Sequence, residues 1–334
     1  MSYLYVCDQG AVINLEQGYF VVKQKDGMLR KVPKETLESI ALFGNIQMTT
    51  QCIKECLERG IPVSYYALNG AYFGKLHSTR HVNIFRQKKQ FMNSENEAFC
   101  LGFAKNVLKA KIHNQGVVLK RYERSTTENL QVEYRNIKIA ESKLKNCSSI
   151  EEVMGYEGNA SKNYFKGLSK IIKDDFKFNG RNRQPPKDPF NSMISLGYSL
   201  LMQEIYGELE SHGLHPYAGF IHKDRERHPT LVSDLIEEWR AVIVDSVVLS
   251  LIQGNEIKKE NFDMDVDTGA VYINKEGMKI FIKKFEKKLA SEMGYLDYVN
   301  TRTSFRRAIW LQTGTLVKAV EMGDYNLYHP VTIR

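Results

Sequence analysis

The sequence predicts an α+β protein: a small, hairpin-rich, β-sandwich-like amino-terminal domain, then a larger, all-helical domain that carries the chemistry. Three observations lead there. Before residue 80, glycine-containing turns separate short runs of β-branched and aromatic residues. After residue 93, apolar residues recur at the three-and-four spacing of helix faces. Between the two regimes, residues 79–89 are polar and basic. A chain of 334 residues holds about two domains, and we place them at 1–80 and 93–334, with 81–92 as a linker.

Within the β domain, residues 18–23 and 28–32 flank Asp26-Gly27, a dipeptide suited to the positive φ of a tight hairpin. Residues 61–66 and 71–76 flank Asn69-Gly70 in the same way. One short helix lies between the hairpins, from Thr50 to Arg59, with Thr49 or Thr50 as its N-cap and Gly60 just past its end. The second domain reads as helices over 95–119, 128–144, 161–176, 190–209, 231–252, 275–292 and 303–322. Proline and glycine keep 178–189 irregular.

Composition narrows the class. Hydrophobic residues at 43% supply an ordinary core, which excludes a disordered or fibrous chain. The excess of 47 Lys and Arg over 39 Asp and Glu gives a net charge of +8 and a field that attracts polyanions. The amino terminus shows no basic leader, and the longest apolar run, 241–252, is broken by Asp245 and far short of the ~20 residues a membrane helix needs. Five cysteines lack a metal-finger arrangement. Cys52 and Cys56, one turn apart, read as small buried hydrophobes, and a reducing cytoplasm is the expected compartment. No glycine loop cradles phosphates, so no nucleotide triphosphate cofactor is expected.

Acidic residues define the first candidate site. On the helix over 231–252, Leu231, Leu235, Trp239, Val242 and Leu249 share one arc, while Asp234, Glu237, Glu238 and Asp245 oppose them. The ordinary reading is a solvated acidic face. The alternative is a cation site, because Gly219-Phe220-Ile221-His222 lies shortly upstream and brings an imidazole beside Asp234 and Glu237. A further acid, Glu157, opens a helix and projects on the inward stripe of Ala160, Tyr164, Leu168 and Ile171. It either complements the helix dipole or ligates a metal. His215 precedes a proline and suits a turn or cap, whereas His212, His228 and His329 have no visible partner.

Basic residues supply the complementary half. Lys162, Lys166, Lys170, Lys173 and Lys177 form a stripe facing away from Glu157, and Arg181, Arg183 and Lys187 extend it into the loop. Lys279, Lys283, Lys284, Lys287 and Lys288 form a second cluster, and Arg302, Arg306 and Arg307 a third. Interleaved aromatics make these clusters fit phosphate-backbone contacts, read by shape or charge rather than by base edges.

Several motifs occur in one order: Gly155-x-Glu157-Gly158 leading to Tyr164-Phe165; Asp188-Pro189-x-Asn191 with Gly197-Tyr198; Gly219-Phe220-Ile221-His222; and Ser233-Asp234-Leu235-Ile236-Glu237-Glu238-Trp239-Arg240. Glu38 to Gly44, Arg59 to Val63, and the tail from Ser304-Phe305-Arg306-Arg307 to Tyr328-His329-Pro330 extend the pattern over essentially the whole chain. The series resembles the CRISPR adaptation integrases, the larger, catalytic subunit of the spacer-acquisition complex.

That resemblance implies a metal-dependent DNA endonuclease and integrase. The implied assembly is a homodimer joined to a small ferredoxin-like CRISPR partner protein that bridges two such dimers. It assigns Glu157, His222 and Glu237 as metal ligands and Asp234 as a supporting catalytic acid. The implied cofactor is Mg2+ or Mn2+; an imidazole ligand tilts the site towards Mn2+, and Mg2+ with several waters also fits. The implied substrates are double-stranded DNA with 3′-OH ends and CRISPR repeat DNA, joined when the 3′-hydroxyl attacks a repeat-boundary phosphate. Arg225 or Arg240 is expected to neutralise that phosphate, while the lysine stripe with Lys283, Lys287 and Arg306 holds the duplex. The sequence departs from the family pattern at His215, at His228 and in the charged loop before Pro229, all outside the ligand trio. Two rival readings are a stand-alone structure-selective DNA repair nuclease and a non-enzymatic DNA-binding scaffold. No membrane partner is expected.

Overall fold

The computed structural model describes residues 2–24, 27, 29–124, 126–182 and 185–334. Asp26 and Arg183, both singled out above, lie outside the described residues. The chain divides into two compact units, Met1–Val82 and Asn83–Arg334.

The first unit begins with β1 (Ser2–Val6), β2 (Val12–Glu16), β3 (Tyr19–Lys23), β4 (Leu29–Pro33), β5 (Leu37–Phe43) and β6 (Gln47–Met48). Helix α1 (Thr50–Arg59), β7 (Val63–Tyr66) and β8 (Tyr72–Leu76) complete it. The two hairpins expected from sequence are the antiparallel pairs β3–β4 and β7–β8. At the second, Gly70 takes a φ of 83° and Ala71 N donates to Asn69 Oδ1 at 3.1 Å. Thr49 caps α1, and Gly60 ends it in the left-handed region. The strands order as two four-stranded sheets, β1-β5-β7-β8 and β4-β3-β2-β6. Both contain parallel pairs, which hairpin signals alone do not reveal: β1 with β5, β5 with β7, and β2 with β6. Leu4, Ile13, Phe20, Ile40, Cys52 and Cys56 join both sheets and α1 in one core.

The second unit is helical, with α2 (Ile84–Ser94), α3 (Glu97–Glu123), α4 (Gln131–Lys143), α5 (Ile150–Ile171), α6 (Pro189–Ser211) and α7 (Thr230–Trp239). A π-helical segment over Arg240–Asp245 leads into α8 (Ser246–Gln253). After it come β9 (Phe262–Met264), β10 (Val271–Ile273), α9 (Lys275–Ala290), β11 (Glu292–Met293), β12 (Thr303–Ser304) and α10 (Phe305–Met322). The region is therefore not all-helical: β9 pairs with β10 and β11 with β12. The expected linker over 81–92 is largely helix α2. Asn83 caps it, and its buried Gln90 donates to the carbonyls of His215 and Ala218. Polar surface composition hid a helix with one buried polar anchor.

Two further differences bear on the site. Helix α5 starts at Ile150, capped by Ser149, so Glu157 lies inside the helix rather than at its opening. Gly155 and Gly158 both sit in open space within α5. The helix expected over 231–252 is interrupted by the π segment, and every residue of α7 is buried. Its acids are thus core residues, not a solvated face.

The long helix α3 packs against α4, α5 and α7, and the carboxyl-terminal tail lies along it. Asn114 donates to the carbonyls of Glu238 and Val331 and accepts from Ile333 N. Glu238, fully buried, accepts from Tyr328 Oη, from Gln312 Nε2 at 2.8 Å and from Val331 N at 2.6 Å. Burial outweighs these donors and pushes its carboxyl up to about 8 from the ordinary 4.5. Folding therefore takes up a proton, so its stabilisation is complete below about pH 4.5 and is lost as pH rises through about 8. In thermal denaturation, Glu238→Gln is expected to remove a stability decline of at most about 1.4 kcal/mol per pH unit across that window. An unchanged pH slope contradicts a protonated Glu238. Among the described residues, no helix is long and apolar enough to cross a membrane.

Candidate active site

A cavity of about 540 Å³ opens in the second unit between α3, α5, α7 and two loops. Glu157, His222 and Glu237 all line it, together with Lys111, Arg181 and Arg240. Three stretches of chain far apart in sequence thus bring the two acids and the imidazole to one wall.

The imidazole is positioned by a carboxylate with no exposure of its own. Asp234 Oδ2 accepts from Phe220 N at 2.6 Å and Ile221 N at 3.0 Å, and its Oδ1 accepts from His222 N at 3.1 Å. The same Oδ1 lies 2.7 Å from His222 Nδ1. An ionised carboxylate only accepts, so Nδ1 carries the proton and Nε2 keeps its lone pair. Gly219 is required at this turn, since a Cβ there would stand 2.8 Å from Asp234 Oδ2 and 2.9 Å from Thr230. The hydrogen bond to Asp234 holds the His222 pKa above its ordinary 6.5, against burial.

The two acids share a buried cation. Lys111 Nζ lies 2.5 Å from Glu157 Oε1 and also binds Glu237 Oε2, with its side chain 8% exposed. Glu157 Oε1 further accepts from Ser161 Oγ at 2.6 Å, and Gln115 donates to that hydroxyl at 3.1 Å. Lys111 with Gln115 on α3, and Glu157 with Ser161 on α5, form two rungs one helical turn apart. On Glu237, Oε1 meets the Arg240 guanidinium at 3.1 Å. Burial alone would raise the Glu237 carboxyl, but Arg240 and Lys111 hold it down at about 2. The Arg240 guanidinium lies 4.8 Å over the Tyr198 ring, and Tyr198 Oη donates to Asp245. Asp245 also accepts from Tyr164, and burial pushes its carboxyl up to about 6.

The four acids opposite the apolar arc of 231–252 therefore separate. Glu237 faces the cavity, Asp234 braces His222, Glu238 secures the tail, and Asp245 joins two tyrosines. Two carboxylates and an imidazole with a free Nε2 suit a divalent cation in donor chemistry. As they stand, no three His, Cys, Asp or Glu side chains among the described residues cluster closely enough to hold one. The Lys111 ammonium occupies the ground between Glu157 and Glu237.

The basic residues divide between the cavity and internal pairing. Lys162, Lys166 and Arg181 line the cavity, so the expectation that the lysine stripe faces away from Glu157 fails at Lys162 and Lys166. Lys166 and Lys170 also pair with the buried Glu133. Lys173 bonds the Gln253 carbonyl and Asn255. Arg225 is exposed and is not among the residues lining the cavity, and Lys283 and Lys287 are exposed on α9. Arg306 is withdrawn from the surface by Glu204 and Glu286, so it is no free phosphate contact.

Lys111 was missed from sequence. Its signal was a lysine on the buried face of α3, four residues after Val107 and three after Leu108.

Residues 4–287 match the family described as "CRISPR associated protein Cas1". The chain belongs to the Cas1 family. It is 36% identical to the CRISPR-associated endonuclease Cas1 of Mycobacterium tuberculosis, over 97% of this chain and 95% of that one. Two solved structures share the fold. One is a casposase bound to its integration product, with a TM-score of 0.86, 22% identity and coverage of 97% of this chain and 93% of that chain. The other is a Cas6-RT-Cas1–Cas2 complex, with a TM-score of 0.85 and 23% identity over the whole of this chain and 36% of that larger one. The Cas1 match thus covers every helix that lines the cavity.

Asp234→Asn keeps the shape but replaces an acceptor of four hydrogen bonds with a group that has one acceptor oxygen. We expect a loss of about 2–4 kcal/mol of stability and a His222 titration that moves downward in metal-free protein. The stabilisation from the raised His222 pKa is present below about pH 6.5 and lost as pH rises through the folded value. NMR titration of the imidazole reads this directly, and an unmoved His222 pKa contradicts the bracing role.

Proposed function

We propose that this chain is the metal-dependent DNA endonuclease and integrase of CRISPR adaptation. In this reading it inserts short DNA fragments into a repeat array by transesterification. The single observation that carries the reading is the convergence of Glu157, His222 and Glu237 on one cavity rimmed by Lys162, Lys166 and Arg181. Membership of the Cas1 family, a relative named as an endonuclease and a structural neighbour bound to an integration product support it. Partnership with a small, ferredoxin-like protein of the Cas2 type is supported by the Cas1–Cas2 neighbour, and we propose a homodimer as the unit that engages it.

Glu157, Glu237 and the Nε2 of His222 would hold Mg2+ or Mn2+. When bound, the cation supplies Lewis acidity at the scissile phosphate and eases deprotonation of the attacking hydroxyl. The remaining work falls to the chain. Asp234 fixes the imidazole so that Nε2 faces the cavity, which spares the site the cost of orienting it during reaction. Arg240 and Lys111 offset the charge of the carboxylates, so the approach of a phosphate does not meet two bare anions. Lys162, Lys166 and Arg181 hold the sugar–phosphate backbone at the rim, and the Tyr198 ring keeps Arg240 in plane beside Glu237.

The test is strand joining by the purified chain with its Cas2-type partner, using a short duplex with 3′-OH ends, a repeat-bearing plasmid and Mn2+ or Mg2+. Glu157→Gln, His222→Ala and Glu237→Gln should each lower the joining rate by about a hundredfold or more, while duplex affinity measured without divalent cation stays close to wild type. Joining at the wild-type rate by all three refutes the site. Joining without any divalent cation refutes the metal.

A further inference from the structure

Lys111 stands where a site built around a divalent cation would leave room. Its ammonium bridges Glu157 and Glu237, the two carboxylates proposed as ligands, and its side chain is almost fully enclosed. The stem rises from the core face of α3, where Val107, Leu108 and Ile112 are buried. The charge therefore stays on the carboxylates or swings into the cavity that Lys111 lines. Arg240 adds a second cation at Glu237 Oε1, and its guanidinium lies over the Tyr198 ring.

Charge counting follows from these contacts. Lys111 and Arg240 already offset the two carboxylates, and Lys162, Lys166 and Arg181 line the same cavity, so its wall carries no net negative charge before any ion arrives. A divalent cation entering the free protein meets carboxylates whose charge is already offset, and it meets Lys111 as a like charge at close range. A DNA phosphate reverses this balance. With the rim cations Lys162, Lys166 and Arg181 close by, a phosphate in the cavity supplies the negative charge that the added cation needs.

On the reading that Glu157, His222 and Glu237 are the metal ligands, we infer that Lys111 is an internal counter-cation that keeps the affinity for a divalent cation low in the free protein and couples its binding to arrival of the DNA phosphate. The coupling is reciprocal: Mn2+ tightens duplex binding by the factor with which duplex tightens Mn2+. Lys111 acts here as a positioning and gating residue, holding the two ligands together until the ion takes them over.

The experiment titrates Mn2+ into the full chain and follows free Mn2+ by electron paramagnetic resonance. It is run with and without a dideoxy-terminated duplex that cannot react, and binding by the duplex alone is subtracted. Wild-type protein should bind Mn2+ about tenfold or more tightly with duplex present. Lys111→Met, and the polar but uncharged Lys111→Gln, should bind Mn2+ about tenfold or more tightly than wild type without duplex and lose most of the gain on adding it. Glu157→Gln separates the two layers of the argument. If it binds Mn2+ as wild type does, the metal reading itself falls. If it loses binding while folded Lys111 variants match wild type, only the role of Lys111 falls. The wild-type arm stands alone: equal Mn2+ affinity with and without duplex overturns the inference whatever the variants do.

Discussion

Burying a helix on every side denies its carboxylates access to water, and the second unit is organised around how α7 and its π-helical continuation meet that constraint. Four acids within twelve positions are almost wholly enclosed: Asp234, Glu237, Glu238 and Asp245. An enclosed carboxylate without a partner costs several kcal/mol, so each must recruit its own. Each does so from a different part of the chain. Asp234 gathers three backbone amides and an imidazole from the 219–222 turn. Glu237 takes Lys111 from α3 and Arg240 from the π segment. Glu238, its carboxyl pushed up by burial, secures the tail, and Asp245 collects one tyrosine from α5 and one from α6.

The same contacts assemble the cavity. Holding His222 through Asp234 orients its free nitrogen, and pairing Glu237 with Lys111 draws Glu157 of α5 to within reach of α7. The π segment matters to this geometry. Widening the helical turn at Arg240 changes the angular spacing of the side chains that follow Glu237. With that spacing, Arg240 reaches Glu237 on one side and the Tyr198 ring on the other, while Asp245 meets Tyr198 from behind. Stability and proposed chemistry therefore draw on one set of interactions. The catalytic reading places its load on ion pairs that are largely withdrawn from water.

Much of this was legible in the sequence. The Asn69-Gly70 turn, the Thr49 and Gly60 caps of α1 and the amphipathic faces of the later helices follow local rules that the fold obeys. The ordered motifs around Glu157, His222 and Glu237 named the residues that line the cavity. Other features depended on context that local rules omit. The helix expected over 161–176 begins at Ile150, because a chain with glycines at 155 and 158 is sustained as α5 by its flanking turns. Of the two readings of the α7 acids, the solvated face fails because an amphipathic pattern assumes one wet face, and this helix has none. Arg306 read as a surface cation because its carboxylate partners, Glu204 and Glu286, come from two other helices. Lys111 carried a usable signal, a lysine in phase with the apolar stripe of α3, and only its partners in space explain it.

The central claim is that Glu157, His222 and Glu237 share one divalent cation once the internal cation gives way. Anomalous diffraction from crystals of the full chain with duplex, grown in Mn2+, tests it most directly. The account predicts a single strong manganese peak about 2 Å from oxygens of both carboxylates and from His222 Nε2, with the Lys111 ammonium moved off the line between the two acids. A manganese peak elsewhere in the molecule, or an undisturbed Lys111 bridge with no peak beside it, would contradict the account.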